Sequence, residues 1–384
     1  MRYLLGLCAV LTLLPGAEQP VLNAKNVVVY KVAGRYAGWP ANHGIWTWGN
    51  EIVVGFESGS FKVNRSIHAI DYSQKEEHLL ARSKDGGETW TIEKPLSLRP
   101  PPGGKMAGVP TEDGGNAATD NTAAIDFKHP DFALTARMMD KDTGPSRFYY
   151  SYDRGKTWRG PFHLPTFGTK GILARTDYIV DGPRTMTMFV SAALDTGKEG
   201  NVLCLRTTDG GITWNKVGVV SMPGNKGFSI MPASLRLSAS TLVSAIRRKE
   251  GNENFIEFAR SDDNGINWKT VSRITPQNTG NSGNPASMVR LKDGRICAIY
   301  GHRAVPYSIR ARITEDEGVT WGDELILRQD GGDRDLGYTR TIVRPDGKLV
   351  TAYYFNDSSD TERYIAATIW DAPANGTHKN NLQH

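Results

Sequence analysis

One eight-residue pattern occurs five times along this chain of 384 residues. It runs Ser/Thr, any residue, Asp, any, Gly, any, Thr, Trp. The copies are Ser83–Trp90, Ser151–Trp158, Thr207–Trp214, Ser261–Trp268 and Thr314–Trp321, the fourth carrying Asn267 in place of Thr. Each copy has the chemistry of a tight hairpin. The Asp carboxylate folds back onto turn N–H groups, Gly takes the left-handed position, and Trp closes the turn by packing. The closing tryptophans stand 53 to 68 residues apart. Self-similarity at that period requires a repeat architecture, and each unit reads as one four-stranded blade of a β-propeller.

The segments between the turns support that reading. Residues 283–300 give an inner strand, an Asp293-Gly294 turn and a second apolar strand. The same order recurs at residues 230–246 and at residues 337–354, where Asp346-Gly347 makes the turn. Trp39-Pro40 through Phe56 opens the first blade, and residues near 122–158 and 171–214 give the second and third. The count is six four-stranded blades in an all-β chain, the last without the Asp pattern. Residues 26–32 are expected to complete the last blade, which would remove the open edges of the ring. The Pro/Gly/Asn-rich segment Leu98–Asp120 is too long for a hairpin loop and is expected at the rim of a site.

Residues 1–17 read as an export leader: Arg2, an apolar run from Leu4 to Leu14, then Gly16-Ala17. The run is too short to span a bilayer. A leader at 1–17, a propeller at 18–371 and a polar tail at 372–384 describe a secreted or periplasmic protein with no membrane-spanning segment. Cys8 would leave with the leader, and Cys204 and Cys297 sit in apolar strand patterns of different blades, as buried free thiols. No Cys/His cluster has metal-ligand spacing, and no cofactor is called for. The net charge is +5 without a Lys/Arg run of the kind that grips nucleic acid.

In a propeller the start of each inner strand faces the axis, so Met231, Asn284 and Tyr338 are expected to look into one pocket. The second strands end in arginines, Arg247-Arg248 after Ile246 and Arg303 after His302. Guanidinium groups arriving from separate blades favour a carboxylate ligand, which they grip with two parallel hydrogen bonds.

With these residues in place the chain resembles the sialidase (neuraminidase) superfamily over nearly its whole length, the five turns matching that family's Asp-box repeats. The resemblance implies an exported, exo-acting glycoside hydrolase that removes sialic acid or a similar acidic sugar from a glycan. It implies a carboxylate-binding set of Arg35, Arg247 (or Arg248) and Arg303, a tyrosine nucleophile at Tyr338, and an acid/base aspartate at Asp71 with a raised pKa. A phenol suits the nucleophile's place, because a carboxylate there would be repelled by the sugar's own. The family pairs its tyrosine with a glutamate, and the matching position here is Met231. His43 and His302 are therefore candidates for contact with the substrate or for activating Tyr338. Two other readings fit the same arginines: a hydrolase or lyase for another anionic sugar such as a uronate, and a glycan-binding propeller without catalysis.

Overall fold

The computed structural model describes residues 18–375 except 22, 225, 276–278 and 281–282. The leader, Cys8 and the far end of the tail lie outside the described residues. The described chain forms six sheets, antiparallel apart from one added strand, arranged as the blades of a propeller, with one four-residue α-helix, Pro40–His43. None of its helices is long and apolar enough to cross a membrane.

Each sequence pattern folds into a turn held by its own side chains. In the first, Ser83 Oγ donates to Asp85 at 2.8 Å, and Asp85 accepts from the Thr89 N–H at 2.9 Å and from the Thr89 hydroxyl. Gly87 N donates to Ser83 Oγ at 2.7 Å, and Trp90 Nε1 to the Gly87 carbonyl at 2.9 Å. The same Asp contacts recur around Asp153, Asp209, Asp263 and Asp316, with the Asn267 amide replacing the Thr hydroxyl in the fourth. The two central residues of every copy have positive φ, which explains the frequency of Gly there and the tolerance of Asn264 at φ 60°.

The tryptophans face the wedge between their own blade and the one before it. Trp158 packs with Trp46, Val53 and Leu80 of blade 1, and Trp214 with Phe148 of blade 2. Trp268 meets Phe189 of blade 3, Trp321 meets Phe258 of blade 4, and Trp90 joins the cluster shared by blades 6 and 1. The hydrophobic core is thus a ring of inter-blade layers, and each turn sets the spacing of two blades. Replacing Asp153 by Ala removes four accepted hydrogen bonds near the protein surface, so we expect a loss of about 1–2 kcal/mol. An unchanged calorimetric Tm would show that the turn chemistry contributes nothing.

The ring closes as the sequence suggests. Lys25–Tyr30 pairs antiparallel with Tyr364–Trp370, which continues through Leu349–Phe355 to Gly337–Val343, the strand bearing Tyr338. Glu18–Pro20 adds a parallel strand to Glu324–Gly331 of the fifth blade. The blades are not uniformly four-stranded. The second has three strands, and the first, third and fifth have five. In the first and third, the strand on the second strand's inner side is split: Arg35–Gly38 with Ile45–Trp48, and Ile172–Leu173 with Tyr178–Val180. Cys204 and Cys297 are buried free thiols, and burial pushes the Cys204 thiol up to about 12.

Candidate active site

Three residues on or beside the inner strands share a strained backbone. Trp39, Met231 and Tyr338 have φ of 57°, 54° and 51°. Such values are unusual for bulky residues and cost on the order of 1–2 kcal/mol each. At Tyr338 the conformation is clamped by buried Asn284, whose Oδ1 accepts from the Tyr338 N–H at 2.8 Å and whose Nδ2 donates to the Leu336 carbonyl at 2.9 Å. The preceding residue must be Gly337, at φ 105°, because a Cβ there would lie 2.5 Å from the Asn284 amide. Met231 is held likewise, its N–H donating to Ser191 Oγ at 3.0 Å. Asn284 is therefore part of the clamp and does not line the cavity, contrary to its expected place beside Tyr338.

A cavity of about 320 Å³ opens against Trp39 and Tyr338, while Met231, expected beside them, lies behind its wall. Its walls include Trp39, His68, Arg175, Glu199, Arg247 and Tyr338. Lys141, Arg175, Lys198 and Arg247 outnumber the acidic Asp142 and Glu199, so the walls carry an excess of positive charge. Arg247 Nη1 donates to the Tyr338 hydroxyl at 3.1 Å and lies 3.5 Å from Met231 Sδ. The Arg247 guanidinium also stands 5.4 Å from the Phe228 ring centre, so the charge approaches the phenol from an aromatic and thioether wall.

Of the residues expected from sequence, Tyr338 and Arg247 meet in this cavity. Arg303 lies behind them, with its guanidinium carbon 5.5 Å from the Tyr338 ring centre. It donates to the Leu336 and Gly283 carbonyls and to the Tyr354 hydroxyl at 2.7 Å, so it braces the phenol without lining the cavity. Arg248 pairs with buried Glu257 instead. Arg35 is bound by Glu77 at 2.6 Å and by Ser58, and it too is absent from the walls.

Asp71 is the clearest departure. Its carboxylate accepts from the Ser73 N–H and hydroxyl at 3.0 and 2.7 Å, and these bonds hold it below the ordinary aspartate range. An acid catalyst needs the opposite shift, and Asp71 does not line the cavity. His43 is fully buried beneath its short helix and bonds Glu57 at 2.8 Å. Burial, with the nearby Arg137 charge, lowers its pKa to about 4. His302 ends the second strand of blade 5 away from the walls, and residues 98–120 contribute none of them.

His43, Glu57 and His78 bring ligand atoms within 4.8 Å of one another. Buried Arg137 bonds His78 Nδ1 and places a positive charge beside the cluster, which opposes a cation there.

Among the wall groups that sequence reasoning missed are Arg175 and His68. Arg175 is held by Glu199 and by Asn42 Oδ1 at 3.1 Å; it stands between the two halves of a split strand, where no alternation marks it. His68 bonds Asp335 at 2.6 Å across 267 residues of sequence. The only local sign was its position three residues before Asp71.

The BNR repeat-like domain family matches residues 132–351. No curated protein matches the chain. Among solved structures, a protein of unknown function from Dyadobacter fermentans superposes with a TM-score of 0.70 at 21% identity, over 92% of this chain and all of that one. The Penicillium chrysogenum α-L-arabinanase, solved with arabinobiose, gives 0.60 at 14%, over 90% and 97%. The NanB sialidase of Streptococcus pneumoniae gives 0.59 at 11%, over 90% and 70%. At these identities the likeness is one of fold, and the fold is of the sialidase-like kind.

Proposed function

Because the chain belongs to the BNR repeat-like domain family, its axial cavity is the place to look for function, and we propose that it is the active site of a glycoside hydrolase cleaving a terminal acidic sugar, most simply sialic acid. The observation that carries the reading is the Arg247–Tyr338 contact of 3.1 Å inside a cavity rich in positive charge. Glycoside hydrolases among the structural neighbours support the reaction class. The leader read at residues 1–17 would deliver the enzyme to glycans outside the cytoplasm.

In this reading Tyr338 attacks the anomeric carbon. Negative charge develops on its oxygen as the proton leaves, and the Arg247 N–H is already aimed there. Met231 cannot take that proton, and Arg247, itself protonated, acts by stabilising the phenolate once the proton has left. The Arg247 guanidinium and the lysines at the rim would receive the sugar's carboxylate. The placement of Arg35 on Glu77 leaves this carboxylate site smaller than three convergent arginines would make it. That observation favours a second reading, cleavage of a uronate.

Replacing Arg247 by Lys keeps a charge and loses the fork. Calorimetric titration with free sialic acid and glucuronic acid is expected to show binding weakened about ten- to a hundredfold, the equivalent of losing one charged hydrogen bond. Arabinose or another neutral sugar binding as well as the acids would remove the basis of the proposal. A panel of nitrophenyl sialosides, uronides and arabinosides then decides between the two readings.

A further inference from the structure

We infer that His68, held by Asp335 at the edge of the cavity, is the residue that passes protons to and from the departing and attacking oxygens. This rests on the glycosidase reading above and fills the role that Asp71 does not occupy.

The walls offer few alternatives. Glu199 is held by Arg175, and Asp142 lies 3.3 Å from Lys198 and 3.5 Å from Lys141. Lysine and arginine side chains are poor proton donors near neutrality, whereas imidazole both gives and takes a proton there. His68 is also built into place. Its Nδ1–H donates to Asp335 Oδ1, while the Ala69 N–H donates to the other oxygen of the same carboxylate at 3.0 Å. Its ring stands edge-on to Trp39, with centres 4.9 Å apart. With Nδ1 fixed, Nε2 is the nitrogen left to meet a ligand, and the side chain retains 22% exposure on the cavity wall.

Asp335 is 1% exposed and also accepts from Tyr354 at 2.9 Å and from Arg363 at 3.1 Å. The neighbouring His68, with Arg363 and Arg303, holds it ionised, well below the usual carboxylate range, against the cost of burial. A buried aspartate behind an imidazole fixes the tautomer and stabilises the imidazolium when it forms. The other groups facing His68 are Tyr354 from blade 6, Tyr72 at its own backbone, and Arg334, which donates to the Ile67 carbonyl at 3.3 Å.

The proton account closes on two residues. The proton that Tyr338 gives up resides on His68 as the phenolate attacks. The bond from the anomeric carbon to the leaving oxygen breaks, and the Nε2 proton goes to that oxygen. Neutral His68 then takes a proton from water; the resulting hydroxide oxygen bonds to the anomeric carbon, and the bond to Tyr338 breaks, regenerating phenolate and imidazolium.

The test compares His68→Asn and His68→Gln with the unmodified protein on sialyllactose and on 4-nitrophenyl sialoside, or on the matching pair of uronides if those are cleaved. Thermal melting and titration with the free sugar acid check that both variants fold and bind. We expect a loss of about 10²–10⁴-fold in kcat on the sugar leaving group, less than about tenfold on nitrophenol, and a flattened pH profile. Equal losses on both substrates, or none, would overturn the role of His68 and leave the Tyr338 reading standing. Absence of turnover of any glycoside by the unmodified protein would overturn both.

Discussion

Tyr338→Phe is expected to lower kcat by at least about a thousandfold while leaving the affinity for a free sugar acid within a few-fold of the original. The substitution removes one oxygen and keeps the ring that Arg303 and Tyr354 pack against. The left-handed backbone at residue 338 is held by Asn284 and not by the hydroxyl, so the clamp survives. Single-turnover measurement on a nitrophenyl sialoside separates chemistry from binding. Full activity in the phenylalanine variant would remove Tyr338 from the reaction and, with it, the functional importance of the Arg247 contact.

Asp335→Ala should cause the largest loss of stability, about 3–5 kcal/mol, because it strips a counter-charge from a buried cation and leaves buried donors without acceptors. Arg363 is fully buried against Asp335 and Asp333, and the Ala69 N–H and Tyr354 hydroxyl point at the same carboxylate. The effect has a defined pH sign. The folded protein keeps Asp335 ionised more readily than the unfolded chain does, so its contribution is complete above the ordinary aspartate range and fades as pH falls through the lower folded value. Denaturation midpoints of the two proteins should therefore converge in strong acid. Asp177 works in the opposite direction. Burial raises its pKa to about 6, so its contribution is complete below about pH 4 and is lost as pH rises from there through about 6. A gap between variant and original that widens with acid would contradict the assignment of Asp335.

The blades were legible because their chemistry is local. Asp85 and Thr89 are four residues apart, and the strand alternation around Asp293-Gly294 specifies its own hairpin. Tyr338 and Arg247 were legible for a related reason: a repeat fixes where a strand begins and ends relative to the axis, whatever the fold does elsewhere. The choice of partner by a long side chain is not local. Arg35 could reach a ligand or Glu77, and only the packing of Arg35–Gly38 against Glu51–Ser60 decides for Glu77. Asp71 met a spacing rule, yet Ser73 two residues on captures its carboxylate in a turn. His68 and Asp335 come from opposite ends of the chain and meet only because the ring brings blade 6 beside blade 1.

That ring also sets an order of events during synthesis. Lys25–Tyr30 emerges from the ribosome long before its partner Tyr364–Trp370. No stretch of nascent chain ending before residue 364 can close the circle, whatever its inner blades have already done. Pairings of such long sequence separation slow folding. A chain cut short before residue 364 would present that strand and the last blade's outer edge to any neighbour able to pair with them.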